Sequence, residues 1–225
     1  MDSFEWAKGS VLGREHQRVG KNNQDAVILR ATSDYIVGVV ADGCGSQKHS
    51  EVGAWIGVEL LSEAISSHFP ELFTTKSWAS LGEKLMEQLS IIPSPQDYCL
   101  FTILGFVVTK EITFIFGCGD GLYVLNGEVK QFSFENNAPP YLIYPDTQLQ
   151  QYECMPTAQL NSLLIATDGL EEWRQTKEIS DFWEQDKYFK NSDQVRRSLA
   201  IAQKKESLLK DDTTLITVRR AEMEV

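Results

Sequence analysis

Cysteine is scarce and dispersed: Cys44, Cys99, Cys118 and Cys154 are the whole set among 225 residues. No two of them form a C-x-x-C pair, which removes the usual zinc and dithiol spacings. Cations are also in short supply, with 21 Lys and Arg against 32 Asp and Glu and a formal net charge of -11. Phosphate backbones and anionic lipid surfaces are gripped by clustered Lys and Arg, so neither nucleic acid nor membrane is expected as a partner. No apolar run reaches the length needed to span a bilayer, and Met1-Asp2-Ser3-Phe4-Glu5 lacks the charged and apolar regions of a signal peptide. A reducing cytoplasm is the expected compartment. Internal repeats and low-complexity tracts are absent too, and the length suits a single domain over residues 1–225, expected to be monomeric.

What the chain has is a recurring strand ending. Val37 to Gly45 reads Val-Gly-Val-Val-Ala-Asp-Gly-Cys-Gly, an apolar, β-branched run that stops at a carboxylate held between small residues. Taken alone, Asp-Gly after a strand is an ordinary turn. The ending recurs, however, in Ile112 to Gly121, which closes on Gly119-Asp120-Gly121, and in Ser162 to Gly169, which closes on Asp168-Gly169. Asp211-Asp212 immediately precedes a last strand-like run from Thr213. Carboxylates brought together at one rim repel by roughly 4 kcal/mol per close pair at an effective dielectric near 20, so such a cluster implies cations. Oxygen ligands without a Cys/His set point to Mg²⁺ or Mn²⁺.

In order along the chain, Lys8 to Leu29 reads as a hairpin around a polar turn, Arg14 to Asp25. Ala26 to Leu29 and Tyr35 to Ala41 should be antiparallel neighbours that carry Asp25 and Asp42 to the same rim. Ser50 to Ser67 has helical spacing, with Ser50 as N-cap and Val52, Trp55, Ile56, Leu60 and Ala64 as its core face. A second helix, Lys76 to Leu89, places Trp78, Leu81, Leu85 and Leu89 on one stripe. Cys99 to Phe134 reads as a β-meander with an Asn126-Gly127 hairpin turn, and Asn136 to Pro145 as a surface excursion. Strands over Leu149–Cys154 and Leu163–Thr167, a helix over Ser192–Leu209 with Val195, Leu199 and Ile201 near one face, and a strand over Thr213–Val218 complete a layered α+β architecture.

The order Asn23-Gln24-Asp25-Ala26, Asp42-Gly43-Cys44-Gly45, Gly119-Asp120-Gly121, Thr167-Asp168-Gly169 and Asp211-Asp212-Thr213-Thr214 resembles the metal-dependent protein serine/threonine phosphatases of the type 2C family, in a compact bacterial form. The resemblance spans nearly the whole chain. It implies a four-layer α-β-β-α sandwich of two antiparallel sheets flanked by helices, with two divalent cations, Mg or Mn, at one end and a weaker third position. Carried over residue by residue, Asp42 would bridge both ions, the Gly43 carbonyl would ligate one, and Asp168 and Asp211 would hold the other. These three aspartates form the catalytic set, and Asp120 would belong to the third metal position. Asp211 is preferred to Asp212 because it occupies the first place of the family's Asp-Asn-x-Thr pattern.

The implied reaction is hydrolysis of phosphoserine or phosphothreonine in a phosphorylated protein by a water activated between the ions, with no protein nucleophile. A Cys44 thiolate is not expected, since neighbouring carboxylates raise a thiol pKa. Gln24 stands where many relatives have Glu, and Asp25 beside it is expected behind the ligands. Cys44 stands where the eukaryotic form has His. The family's phosphate-gripping Arg would fall at Gly20. A longer turn makes Gly13-Arg14-Glu15-His16 match Gly-x-x-Arg, placing Arg14 or His16 on the phosphate, with Arg18 and Lys21 as alternatives. Gln24 and the displaced Arg leave open a phosphatase-like module that binds phosphoproteins with little turnover. A hydrolase of other phosphate esters is the third reading.

Overall fold

The computed structural model describes residues 1, 3–67 and 75–221. Its strands, in chain order, are β1 (Phe4–Val11), β2 (Asp25–Ala31), β3 (Tyr35–Asp42), β4 (Ile103–Thr109), β5 (Ile112–Cys118), β6 (Gly121–Leu125), β7 (Glu128–Phe132), β8 (Gln150–Pro156), β9 (Ser162–Ala166) and β10 (Thr213–Arg220). The helices are α1 (Arg14–Val19), α2 (Ser50–Ser67), α3 (Thr75–Leu89), α4 (Pro95–Tyr98), α5 (Glu171–Arg174), α6 (Asp181–Glu184), α7 (Lys187–Lys190) and α8 (Gln194–Lys205). One antiparallel sheet has the order β1-β10-β9-β6-β7 and the other β2-β3-β4-β5-β8. No helix among the described residues is long and apolar enough to cross a membrane.

Strand periodicity explains the layers. Along β3, Ile36 and Val40 point between the sheets, where they meet Phe106, Ile165 and Ile216. Val37, Val39 and Ala41 point the other way, into a cluster with Val58 and Leu61 of α2 and Trp78 of α3. Both faces of the strand are buried, so its sequence is uniformly apolar and does not alternate. On the far side, Val195 and Leu199 of α8, with Trp173 and Phe182, cover Ala7, Leu164 and Leu215 of the first sheet. The result is the four-layer α-β-β-α sandwich that the resemblance implies.

Several local expectations are corrected. β1 and β2 form no hairpin: β1 pairs with β10 in one sheet and β2 with β3 in the other. The intervening residues hold α1, capped by Gly20 in the left-handed region at φ 71, so the connection carries the chain between sheets and does not fold it back. The meander is likewise split, because β5 belongs to one sheet and β6 to the other. Gly119 at φ 100 and Gly121 at φ 120 make the corner between them, a conformation that L side chains rarely adopt. The Asn126-Gly127 turn forms as expected, with both residues at positive φ. Within the excursion over Asn136–Pro145, Tyr141 and Leu142 are buried, and in α8 Ile201 faces solvent.

α2 packs on a different face from the one its large residues suggest. Gly53, Ala54, Gly57, Val58, Leu61 and Ile65 are buried, whereas Val52, Trp55 and Ile56 are 41%, 47% and 37% exposed. A Cβ on Gly53 would overlap the Tyr98 carbonyl, and one on Gly57 would strike the Phe101 ring. The helix axis therefore comes closer to its neighbours than a stripe of large residues would permit. Ser50 is the first helical residue and no cap acceptor: its hydroxyl donates to the Cys44 carbonyl at 2.9 Å. The stripe on α3 is as expected, with Trp78, Leu81, Leu85 and Leu89 all buried.

Gly53→Ala is expected to destabilise the protein by about 1–3 kcal/mol through overpacking. Trp55→Ala should stay within about 0.5 kcal/mol of the parent. Urea unfolding of the two variants checks this, and the reverse ranking would restore Trp55 to the core.

Candidate metal centre

Four aspartates reach one end of the sandwich by four routes. The β2–β3 register sets Asp25 directly opposite Asp42. β9 runs out at Ala166, and Thr167 turns the chain so that Asp168 opens a short 3-10 turn. The Thr167 amide donates to the Thr214 carbonyl at 3.0 Å, which sets the start of β10, and Asp211 before it, beside Asp168. Asp120 sits on the glycine corner between the sheets. Asp42, Asp120, Asp168 and Asp211 line one cavity of about 320 Å³, with Gly43, His16, Cys44 and Tyr141 also in its wall.

The electrostatics of this cavity are adverse to ionised carboxylates. Burial pushes Asp42 well above the usual range, and Asp25, Asp168, Asp211 and Asp120 push it further. Asp168 rises to about 7, through burial first and then Asp120 and Asp211. Asp120 rises to about 6, again chiefly through burial, with the like charges of Glu171 and Asp211 adding to it. Asp25, only 2% exposed, is raised by burial and by Asp212, against hydrogen bonds from Thr214 and Thr167. Asp25 Oδ1 and Asp168 Oδ1 are buried without a hydrogen-bond partner. Buried carboxylate oxygens without a hydrogen-bond partner, in a cavity lined by four aspartates, are the ligand type of a hard divalent cation, so the residues present fit Mg²⁺ or Mn²⁺.

The two aspartates that precede β10 play different parts. Asp212 is 2% exposed, and its Oδ1 and Oδ2 accept the Gly13 and Gln24 amides, each at 2.6 Å. His16 Nδ1 lies 3.0 Å from the same carboxylate. Asp212 thus braces α1 and the start of β2 against β10. The Asp211 side chain, 57% exposed, remains open to the cavity, although its Oδ1 accepts the Asp212 amide. His16, Asp211 and Asp212 offer ligand atoms within 4.8 Å of one another, but the filled Asp212 makes this grouping a brace first.

Gln24 donates from Nε2 to Ser50 Oγ at 2.9 Å, and its backbone carbonyl accepts the Gly43 amide at 3.1 Å, while its Oε1 is buried and unpartnered. His16 lines the cavity; Arg14 does not. Lys21 donates to the Gly45 carbonyl and Arg18 is exposed, so no Lys or Arg lines the cavity among the described residues. The Cys44 thiol departs from its expectation. Burial works against its thiolate, yet hydrogen bonds from Ser46, Tyr141 and the Ser46 and Gln47 amides hold it below its ordinary value. Those local donors outweigh burial. Sequence reasoning passed over Glu171, Tyr141 and the bracing role of Asp212. Only the Asp168-to-Glu171 spacing on a helical turn could have signalled Glu171, because Tyr141 and Asp212 act through tertiary contacts.

A sequence model of the family described as Protein phosphatase 2C matches residues 12–210. A crystal structure of a bacterial serine phosphatase is similar, with a TM-score of 0.69 and 15% identity over 99% of this chain and 100% of that one. The serine/threonine phosphatase Stp1 from Staphylococcus aureus is similar with a TM-score of 0.65 and 15% identity, covering 97% of this chain and 96% of that one. The catalytic domain of the serine threonine protein phosphatase PstP, in complex with two manganese ions, has a TM-score of 0.66 and 14% identity, covering 97% and 99%. A search of the curated proteins found no match.

A carboxylate whose folded pKa is raised binds its proton more tightly in the native state, so stability falls as pH rises between the unfolded and folded values. For Asp168 that window runs from the ordinary value of 3.8 to about 7. Without divalent cations, the urea midpoint should therefore drop between about pH 4 and about pH 7. Asp168→Asn should flatten the drop and raise stability at the upper end of that range by on the order of 1 kcal/mol. A midpoint indifferent to pH and to this substitution would mean that the aspartates do not repel.

Proposed function

This chain belongs to the protein phosphatase 2C family, and we propose that it hydrolyses phosphoserine and phosphothreonine in proteins with the help of two divalent cations, Mg²⁺ or Mn²⁺. The observation that carries the reading is the convergence of Asp42, Asp120, Asp168 and Asp211, from strand ends of both sheets, on one cavity. Asp42, the Gly43 carbonyl, Asp168 and Asp211 would hold the two ions, and Asp120 a weaker third. Bound there, such ions supply an activated water and neutralise charge on the phosphoryl oxygens.

The chain's own residues prepare the site for that role. Asp25 accepts a hydrogen bond from Thr167 Oγ1 at 2.9 Å, which fixes the carboxylate behind Asp42. Gln24 ties the start of β2 to Ser50 of α2 and so holds the Gly43 turn. His16, whose Nδ1 lies 3.0 Å from the Asp212 carboxylate, is the one His, Lys or Arg in the described cavity wall, and we assign it the phosphate contact in preference to Arg14. The absence of Lys and Arg from the described lining favours one alternative, a phosphatase-like module with weak or no turnover, because charge developing on a transferred phosphoryl group would find few cationic contacts.

Hydrolysis of p-nitrophenyl phosphate and of a phosphothreonine peptide should be abolished by EDTA and restored by Mn²⁺. Asp42→Ala and Asp168→Ala should each lower kcat/KM by about 10³-fold or more. His16→Ala should chiefly raise KM. Tight Mn²⁺ binding with no turnover of either substrate, but stoichiometric binding of the phosphopeptide, would replace the enzyme with the binding module.

A further inference from the structure

A second cleft, of about 430 Å³, opens between α3 and residues 142–148, outside the metal cavity. Met86, Leu142, Ile143 and Tyr144 give it apolar walls, and Glu83 and Asp146 are exposed on its lining. Neither carboxylate makes an ion pair among the described residues, and no Lys, Arg or His is among the described residues that line the cleft. Two unneutralised acids beside an apolar surface are complementary to a cation carried next to an apolar side chain.

The cleft shares its wall with the metal cavity. Asn136, Asn137, Pro139 and Tyr141 face the metal site, and the residues that follow directly face the cleft. The rings of Tyr141 and Tyr144 meet edge to face with centroids 5.6 Å apart, and the Tyr144 amide donates to the Tyr141 carbonyl at 2.9 Å. Tyr141 and Tyr144, one on each side, are three residues apart, a span of at most about 11 Å of chain, so the cavity and the cleft adjoin one connection.

We propose that this cleft docks a basic segment of the phosphoprotein substrate, a lysine or arginine next to an apolar residue, a few positions from the phosphorylated side chain. The inference rests on the phosphatase reading above. The cation sits between Glu83 and Asp146 while its apolar neighbour packs on Leu142 and Tyr144. Binding energy at this distance from the reacting phosphorus is the same in ground and transition states, so it appears in KM and not in kcat.

The test uses the full chain with Mn²⁺, a phosphoserine peptide carrying a Lys-Leu pair, a matched peptide with Ser-Ser in its place, and p-nitrophenyl phosphate. The parent protein should show the lower KM for the Lys-Leu peptide. Glu83→Lys combined with Asp146→Lys, both on exposed positions, should raise that KM about tenfold and leave kcat and p-nitrophenyl phosphate turnover unchanged. Reversing Glu111 and Glu128, exposed acids outside both cavities, should leave KM where it was. Unphosphorylated Lys-Leu peptide should bind the parent in fluorescence anisotropy and lose that binding in the double variant. Equal KM values for the two peptides in the parent, or peptide binding that survives charge reversal, would overturn the proposal. An unphosphorylated Lys-Leu peptide that raises p-nitrophenyl phosphate turnover would make the occupant a separate regulatory chain, and would also overturn it. A parent that hydrolyses nothing, yet binds the unphosphorylated peptide through Glu83 and Asp146, would sink the phosphatase reading and leave the docking cleft standing.

Discussion

Mutual repulsion among aspartates is the constraint around which this protein is built. Asp25, Asp42, Asp120 and Asp168 are all raised by burial and by one another or by Asp212 and Asp211, and two of their oxygens lack any hydrogen-bond partner. A fold gains nothing from such an arrangement in its own right, since burying unpaired carboxylates opposes folding. The opposing term is the doubly apolar pair of sheets behind the cavity, with helices closing both outer faces. The rigid sandwich holds the carboxylates where their repulsion can be converted into affinity for cations.

Holding them requires bracing from residues outside the cavity lining. Asp212 receives two backbone amides, from Gly13 and Gln24, and thereby clamps segments of both sheets at the cavity rim. Thr167 bonds both to Asp25 and to the Thr214 amide, joining the ends of β2, β9 and β10. Gly119 and Gly121 let the chain change sheets in a single step, and Asp120 rides on that corner. In each case a short local contact, a backbone amide, a threonine hydroxyl or a glycine corner, fixes the position of a carboxylate.

The connection from Glu135 to Leu149 gives the site its surroundings. Its first half supplies Tyr141 to the metal cavity, where the phenol and the Cys44 thiol share a hydrogen bond, and its second half forms the cleft against α3. Buried Tyr141 and Leu142 pin this stretch to the body of the protein, so it behaves as a wall with two faces. The acidic character of the approach continues from the cavity to the cleft, in keeping with a formal net charge of -11.

Pattern and order along the chain determined the architecture and the principal acids. The strand-end aspartates could be read because an apolar run that stops at Asp-Gly is a local signal, and a family's order of such signals is one-dimensional information. The register of Asp25 against Asp42 was equally accessible, since a short turn leaves antiparallel neighbours few alternatives. Pairing over distance was not accessible. β1 joins β10 and β5 parts from β6 because burial of both sheet faces, a property of the assembled layers, decides partners. The packed face of α2 escaped for a related reason: two apolar stripes share one helical period, and only the close approach of Tyr98 and Phe101 selects the stripe of small residues over Trp55. Likewise Asp211 and Asp212 are the same residue type in adjacent places, and it is the amides of Gly13 and Gln24, remote in sequence, that fill one and leave the other open to the cavity.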